Sequence, residues 1–191
     1  MRARALVLVL AGLLGLAGPA HATDALPQWT VVPEASQIRF EYLIDGKTRE
    51  GVFERFSGQG RFDAAAPDAA QLELAIESRS IDLGNLLVSA YATSAEWFDS
   101  KNHPVVAYRL LALEPLGGAR FEAVGEITLL GRTERLVSPM RLVTGTEGAR
   151  AQGTLSLDRT AFGLGVGLSD ILVEIGAEVS VHFDLAARRG G

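Results

Sequence analysis

One stretch near the C-terminus limits the fold more than any other. From Ile171 to Leu185 the chain alternates almost without a break. Ile171, Val173, Ile175, Ala177, Val179, Val181, Phe183 and Leu185 fall on one face, and Glu174, Glu178, Ser180, His182 and Asp184 on the other. Period two over that length predicts a strand with one buried and one wet face, and a helix cannot reproduce it. A strand so long, left at a sheet edge, would expose a row of unpaired amides and carbonyls. Its neighbours must therefore cover it on both sides.

The same pattern recurs upstream. Ser36 to Ile44 is apolar at Ile38, Phe40, Tyr42 and Ile44, and Asp45-Gly46 follows as a hairpin turn. Gly51 to Phe62 reads as a second, bent strand with Gly58 and Gly60 at the bend. Leu72, Leu74 and Ile76 alternate, as do Val106, Tyr108 and Leu110. Phe121 to Leu129, a turn at Gly131-Arg132, Leu136 to Val143 and Ala149 to Leu157 complete the set. Ala64-Ala65-Ala66-Pro67 reads as a loop. Gly84 to Phe98 breaks the pattern, with Leu87, Tyr91 and Ser94 at helical spacing and Asn85 placed to cap a short helix. The prediction is an all-β, antiparallel, eight-stranded barrel with one short helical excursion, since closure removes the edges.

The first 22 residues are expected to lie outside this fold. Arg2 and Arg4 precede an apolar run from Ala5 to Leu16, and Ala20-His21-Ala22 has the small-x-small form of a cleavage site. Residues 1–22 read as a cleaved signal peptide, because the apolar run is shorter than the roughly 20 residues a membrane span needs. Residues 23–191 then form a single domain in the periplasm. The absence of cysteine removes disulfides, thiol catalysis and cysteine metal sites. The net charge of −5 becomes more negative once the two leader arginines leave. An acidic chain with scattered cations is not expected to bind nucleic acid.

Catalytic and metal-binding patterns are sparse. His103 and His182 stand alone, and no Gly-x-Ser-x-Gly elbow occurs. Asp45-Gly46-Lys47-Thr48 lacks the leading glycine and the helix of a phosphate loop. Gly163-Leu164-Gly165-Val166-Gly167 leads into a strand, so no helix terminus can take a phosphate. Glu96 and Asp99, flanking Trp97-Phe98, are the one carboxylate pair that a barrel-scaffold hydrolase could use. Neither a catalytic residue nor a metal ligand nor a cofactor is expected. What remains is aromatic and apolar, and an eight-stranded barrel can either fill with side chains or hold one small ligand.

Six segments, in order and spacing, resemble the YceI-like family of secreted, lipocalin-like barrels that bind polyisoprenoids. They are Ser36-Gln37-Ile38-Arg39-Phe40; Gly51-Val52-Phe53 with Gly60-Arg61-Phe62-Asp63; Ser80-Ile81-Asp82; Ser94 to Asp99 with His103-Pro104; Gly125 to Thr133; and Asp158 to Leu164. The chain departs from the family at Ile44, where many members carry His, and at Val88-Ser89, where many carry Arg-Asp. Those losses bear on a ligand's head group and leave the apolar lining intact.

The resemblance implies a periplasmic carrier of a long apolar lipid, of the polyisoprenoid or isoprenoid-quinone type, and no enzyme. Phe40, Tyr42, Phe53, Tyr91, Trp97, Phe98, Tyr108 and Phe162 are the expected ligand-binding residues. A strand of ten residues rises about 33 Å, long enough to shield an extended tail. Each methylene buried is worth about 0.8 kcal/mol, so affinity needs no specific polar contact. Arg39, Arg55 and Arg109 are the cations that could meet an anionic head group. A transient contact with an inner-membrane donor or acceptor is expected, and the oligomeric state is open. The alternatives are a filled barrel acting as an envelope interaction protein and, behind it, the hydrolase.

Overall fold

The computed structural model describes residues 26–63, 65–167 and 173–190. The leader, Ala64 and Ile171 lie outside the described residues. Among the described residues, eleven strands and one α-helix follow in chain order: β1 (Gln28–Val31), β2 (Gln37–Ile44), β3 (Lys47–Phe53), β4 (Phe56–Arg61), β5 (Gln71–Glu77), β6 (Ile81–Asp82), α1 (Leu86–Ala92), β7 (Val105–Gly117), β8 (Arg120–Leu129), β9 (Arg132–Thr144), β10 (Gly148–Asp158) and β11 (Ile175–Arg189).

All pairings are antiparallel, and β1, β4, β5, β7, β8, β9, β10 and β11 form a ring that closes through β1 on β11. The barrel is thus eight-stranded, as the alternation predicts. Three of its strands are bent into two pieces: β1 with β2, β3 with β4, and β5 with β6. The bends lie side by side, because β2 pairs with β3 and β1 with β4, while β3 pairs with β6 and β4 with β5.

Serine hydroxyls meet the backbone groups that the bends release. Ser36 Oγ donates to Val32 O at 2.7 Å and accepts from Ala186 N at 2.9 Å. Ser80 Oγ donates to Glu77 O at 2.7 Å and accepts from Arg55 N at 3.0 Å. Ser78 Oγ donates to His103 O at 2.8 Å. Both Ser78 and Ser80 are buried, where an unmet backbone group would be destabilising.

Several local details differ from the sequence reading. Gly51 to Phe62 is not one strand but parts of two, broken at Glu54-Arg55. β3 begins already at Lys47, because Asp45 and Gly46 both take positive φ and close a tight hairpin. The turn between β8 and β9 sits at Leu130-Gly131, both with positive φ, one residue earlier than expected. β11 starts at Ile175 and carries a bulge between Ile175 and Val179, so Ala177 is exposed rather than inward. The strand also runs on to Arg189, where Ala187 joins the core.

The outer face of β10, β11 and β2 is polar. Arg150 pairs with Asp184 at 2.7 Å, and that hydrogen bond holds the Asp184 carboxyl below its usual range. His182 lies between Thr154 (Nδ1 to Oγ1, 3.0 Å) and Glu41 (Nε2 to Oε1, 3.3 Å).

Two apolar clusters occupy the barrel ends. At the far end, Trp29, Phe62, Leu113 and Phe121 pack together. There Trp29 Nε1 donates to Phe62 O at 3.0 Å, and Phe62 meets Phe121 edge to face. At the helix end lie Phe40, Phe98, Leu129 and Leu157. Asn85 caps α1 by accepting from the amides of Leu87 and Val88, at 3.0 and 3.2 Å.

Candidate functional site

The inward side chains do not meet at the barrel axis. They enclose two cavities stacked end to end, one of about 320 Å³ towards the helix and one of about 150 Å³ towards the far end. Ile38, Ile76, Ile127 and Val181 line both and form a neck between them. A water needs about 10–15 Å³ measured this way, together with two to four polar partners. These walls have the room and almost none of the partners, so they favour an apolar occupant.

Glycines keep the interior open. Phe40 on β2 stands opposite Gly51, and a Cβ there would come within 2.8 Å of its ring. Phe183 on β11 stands opposite Gly153, with the same clash at 2.5 Å. Tyr108 on β7 lies over Gly125 on β8, again at 2.5 Å. Each ring lies down on a neighbouring strand where that strand has no side chain, instead of projecting towards the axis.

Around the helix-end cavity the aromatic groups touch one another. The Phe53 ring is 5.4 Å from Phe40 and meets Phe98 edge to face at 5.7 Å. Residues 83–104 cross this end of the barrel. Glu96 O accepts from Gly165 N at 3.0 Å, and Gly165 packs beneath the Trp97 ring. Val88, Tyr91, Ala92, Trp97 and Phe98 from this crossing line the cavity.

Polar groups at the cavity walls are few. Arg159, 3% exposed, donates to the carbonyls of Leu164 (2.8 Å), Gly165 (3.1 Å), Ile175 (2.8 Å) and Gly176 (2.9 Å). Its guanidinium also lies over the Trp97 ring at 5.7 Å. It therefore ties the 159–165 turn to the start of β11. In the far cavity the Tyr108 hydroxyl has no hydrogen-bond partner among the described residues, and burial pushes its phenol up to about 12. Burial also raises the Tyr42 phenol, against a smaller opposing effect of Arg49. Ser138, buried on β9, is a further hydroxyl in the far wall.

Of the residues singled out in the sequence, Phe40, Tyr42, Phe53, Tyr91, Trp97 and Phe98 line the helix-end cavity, and Tyr108 lines the far one. Phe162 lines neither. It is 1% exposed within the turn that Arg159 pins, so it packs the wall and does not face the space. Ile44 and Val88, the positions at which the resemblance leads one to expect polar groups, both line the helix-end cavity. Arg55 and Arg109 are spent on Glu77 and Glu126, each at 2.7 Å on the outer surface. Arg39, opposite His182, lines neither cavity. Glu96 accepts from the Tyr91 hydroxyl at 2.8 Å, and Asp99 from the Asn102 amide at 2.9 Å. Among the described residues no group of three or more His, Cys, Asp or Glu is placed to hold a metal.

The neck, Arg159 and the glycines beneath the rings were not picked out as parts of the site. Gly51 and Gly153 had a legible signal, an inward aromatic falling opposite a glycine once the strands are registered, whereas Gly125 stands opposite Leu110 and diagonal to Tyr108.

A family model described as the YceI-like domain matches residues 29–187, which is nearly the whole barrel. The chain belongs to the YceI-like family. BcnA of Burkholderia cenocepacia has a similar crystal structure, with a TM-score of 0.75 and 26% identity over 82% of this chain and 98% of that one. A polyisoprenoid binding domain from Saccharophagus degradans, implicated in plant cell wall breakdown, shares the fold. Its TM-score is 0.70 at 15% identity, over 85% of this chain and 98% of that one. A UPF0312 protein of Azotobacter vinelandii is 25% identical over 138 residues, 69% of this chain and 72% of that protein. This YceI-like chain thus has the family's barrel with an apolar helix-end cavity.

Proposed function

We propose that this YceI-like protein is a periplasmic carrier that holds one long apolar lipid, of the polyisoprenoid or isoprenoid-quinone class, along the barrel axis. The observation that carries this reading is the pair of apolar cavities joined at the neck of Ile38, Ile76, Ile127 and Val181. An extended tail is the ligand shape that such a space favours. The name of the Saccharophagus degradans relative points the same way. The mechanism is sequestration and transfer without bond chemistry. Tail burial supplies the affinity, at about 0.8 kcal/mol per methylene.

The helix-end cavity offers an anionic head group no arginine except Arg159, whose donors are engaged with backbone carbonyls, while the far cavity has Arg61 at its wall. At the helix end a neutral head group therefore fits better than a pyrophosphate. Tyr108 gives an oxygen of such a ligand one donor inside the barrel. The filled-barrel alternative is disfavoured by the free volume.

The test is mass spectrometry of an organic extract of the protein, purified without detergent from its own host, with the N-terminus read on the same sample. One stoichiometric isoprenoid lipid and a chain starting at Thr23 are expected. A barrel that yields no lipid and takes up no isoprenoid alcohol or quinone when offered them would refute the carrier.

A further inference from the structure

We infer that α1 is a membrane-docking tip that seats the cavity mouth on a bilayer of neutral or zwitterionic lipid. Leu86 and Leu87, the first two residues of the helix, are 85% and 80% exposed. Val88 and Tyr91 are 46% and 49% exposed, and both also line the helix-end cavity. Val166, 55% exposed, extends the patch from the turn that packs on Trp97. Scattered apolar side chains on a soluble surface need no explanation, but a contiguous patch does.

Two features of the patch identify what covers it. The first is continuity. Val88 and Tyr91 belong to the outer patch and to the inner wall at once, so the apolar surface runs unbroken from outside into the cavity. An apolar chain moving along it from a bilayer would not cross water.

The second is charge. From Leu83 to Ala95 there is no ionisable side chain except the Tyr91 phenol, in a chain of net charge −5. The nearest carboxylates on this segment are Asp82, bonded to Ser89 Oγ, and Glu96, bonded to the Tyr91 hydroxyl. Residues 83–95 hold no cation to attract an anionic head group, the two flanking acids would repel one, and the arginines of the neighbouring turn are engaged with backbone carbonyls, Arg132 with Ala161 O and Arg159 with Leu164 O. A protein partner would more often be met by a rim of mixed charge around the apolar centre. An interfacial lipid surface asks only for apolar side chains that reach about 5–10 Å into the head-group boundary.

The purpose of this docking rests on the carrier reading, but its existence does not, and the test separates them. The chain has no cysteine, so Leu87→Cys gives a single labelling site for an environment-sensitive fluorophore. Vesicles of pure phosphatidylcholine are expected to shift its emission to the blue. The same label at Val137→Cys, an exposed apolar position on β9, is expected to stay unshifted. In flotation, Leu86→Asp with Leu87→Asp is expected to lower the partition of the protein onto these vesicles at least about tenfold. Mixing phosphatidylglycerol into the vesicles is expected to give no gain.

No shift at Leu87, an equal shift at Val137, or flotation unchanged by the two aspartates would overturn the docking tip. Binding that appears only with anionic vesicles would overturn it too, as would capture by a protein partner without lipid. The extracted lipid of the doubly substituted chain is measured alongside. Its retention with lost flotation assigns the defect to docking, whereas its absence from wild type as well is the failure of the carrier reading.

Discussion

Replacing Gly125 with alanine tests whether the glycines hold the interior open. The added Cβ would lie 2.5 Å from the Tyr108 ring atoms Cε2 and Cζ, a separation that no relaxed structure tolerates. The strand backbone is fixed by pairing on both sides, so the ring must tilt inwards. Overpacking of this kind destabilises by about 1–3 kcal/mol. Alanine in a strand interior otherwise gains about 0.5–1 kcal/mol over glycine. The net loss expected is therefore about 1–2 kcal/mol, together with a smaller far cavity.

The contrast that isolates the cause is Gly125→Ala in a Tyr108→Ala background. There the ring is gone, the overpacking vanishes, and the same substitution should be neutral or stabilising by about 0.5–1 kcal/mol. The coupling between the two sites is then about 2 kcal/mol, well inside the range for residues in contact. Urea unfolding of the four chains measures it. Equal destabilisation by Gly125→Ala in both backgrounds would refute the ring-over-glycine account.

Burial holds the Tyr108 phenol at about 12 against 10 in the unfolded chain. The stability this contributes is complete below pH 10 and is lost as pH rises through about 12. Tyr108→Phe should therefore flatten the alkaline slope of stability, and an unchanged slope would count against the buried phenol. Val181→Phe narrows the neck, so extracts of that chain should contain shorter tails than wild type. Unchanged tail length would mean that the two cavities are not one channel. Arg159→Met strips donors from the carbonyls of Leu164, Gly165, Ile175 and Gly176, at a cost of about 3 kcal/mol or more in thermal or urea unfolding. A loss below 1 kcal/mol would show that the clamp is dispensable.

The barrel was legible because alternation reports which way each side chain points. That signal survives in β2, β5, β8 and β10, and the Asn85 cap was equally plain. It fails where backbone geometry changes without a change of composition. The bulge that turns Ala177 outwards follows a glycine but has no polar residue at the displaced position. The break at Glu54-Arg55 lacks proline and glycine, and it is fixed by distant partners, Ser80 and Glu77.

The site was half legible. An inward aromatic such as Phe40 must be either filler or lining, and periodicity states direction but not free volume. Phe162 shows the other outcome, an aromatic in a tight turn that the wall absorbs entirely.

The three aligned bends divide the molecule into parts of unequal mechanical strength. On the far side of them, every strand of the ring is laddered to two neighbours. On the helix side, β6 has a ladder partner only in β3 among the described residues. The wall from there to β7 is made by residues 83–104, whose backbone ties to the rest include Ser78 N to Pro104 O and Gly165 N to Glu96 O. Parting this seam ruptures a few isolated bonds, and the β9–β10 line is its counterpart across the same end, laddered only from Met140–Thr144 to Ala149–Gly153, whereas parting β8 from β9 unzips a ladder along the whole strand. The barrel is thus a flask with a welded base and a looser mouth, and thermal breathing is channelled to the mouth. Its amide protons should exchange by local opening, hours ahead of those in β8, which is laddered on both sides and waits for the whole structure to unfold.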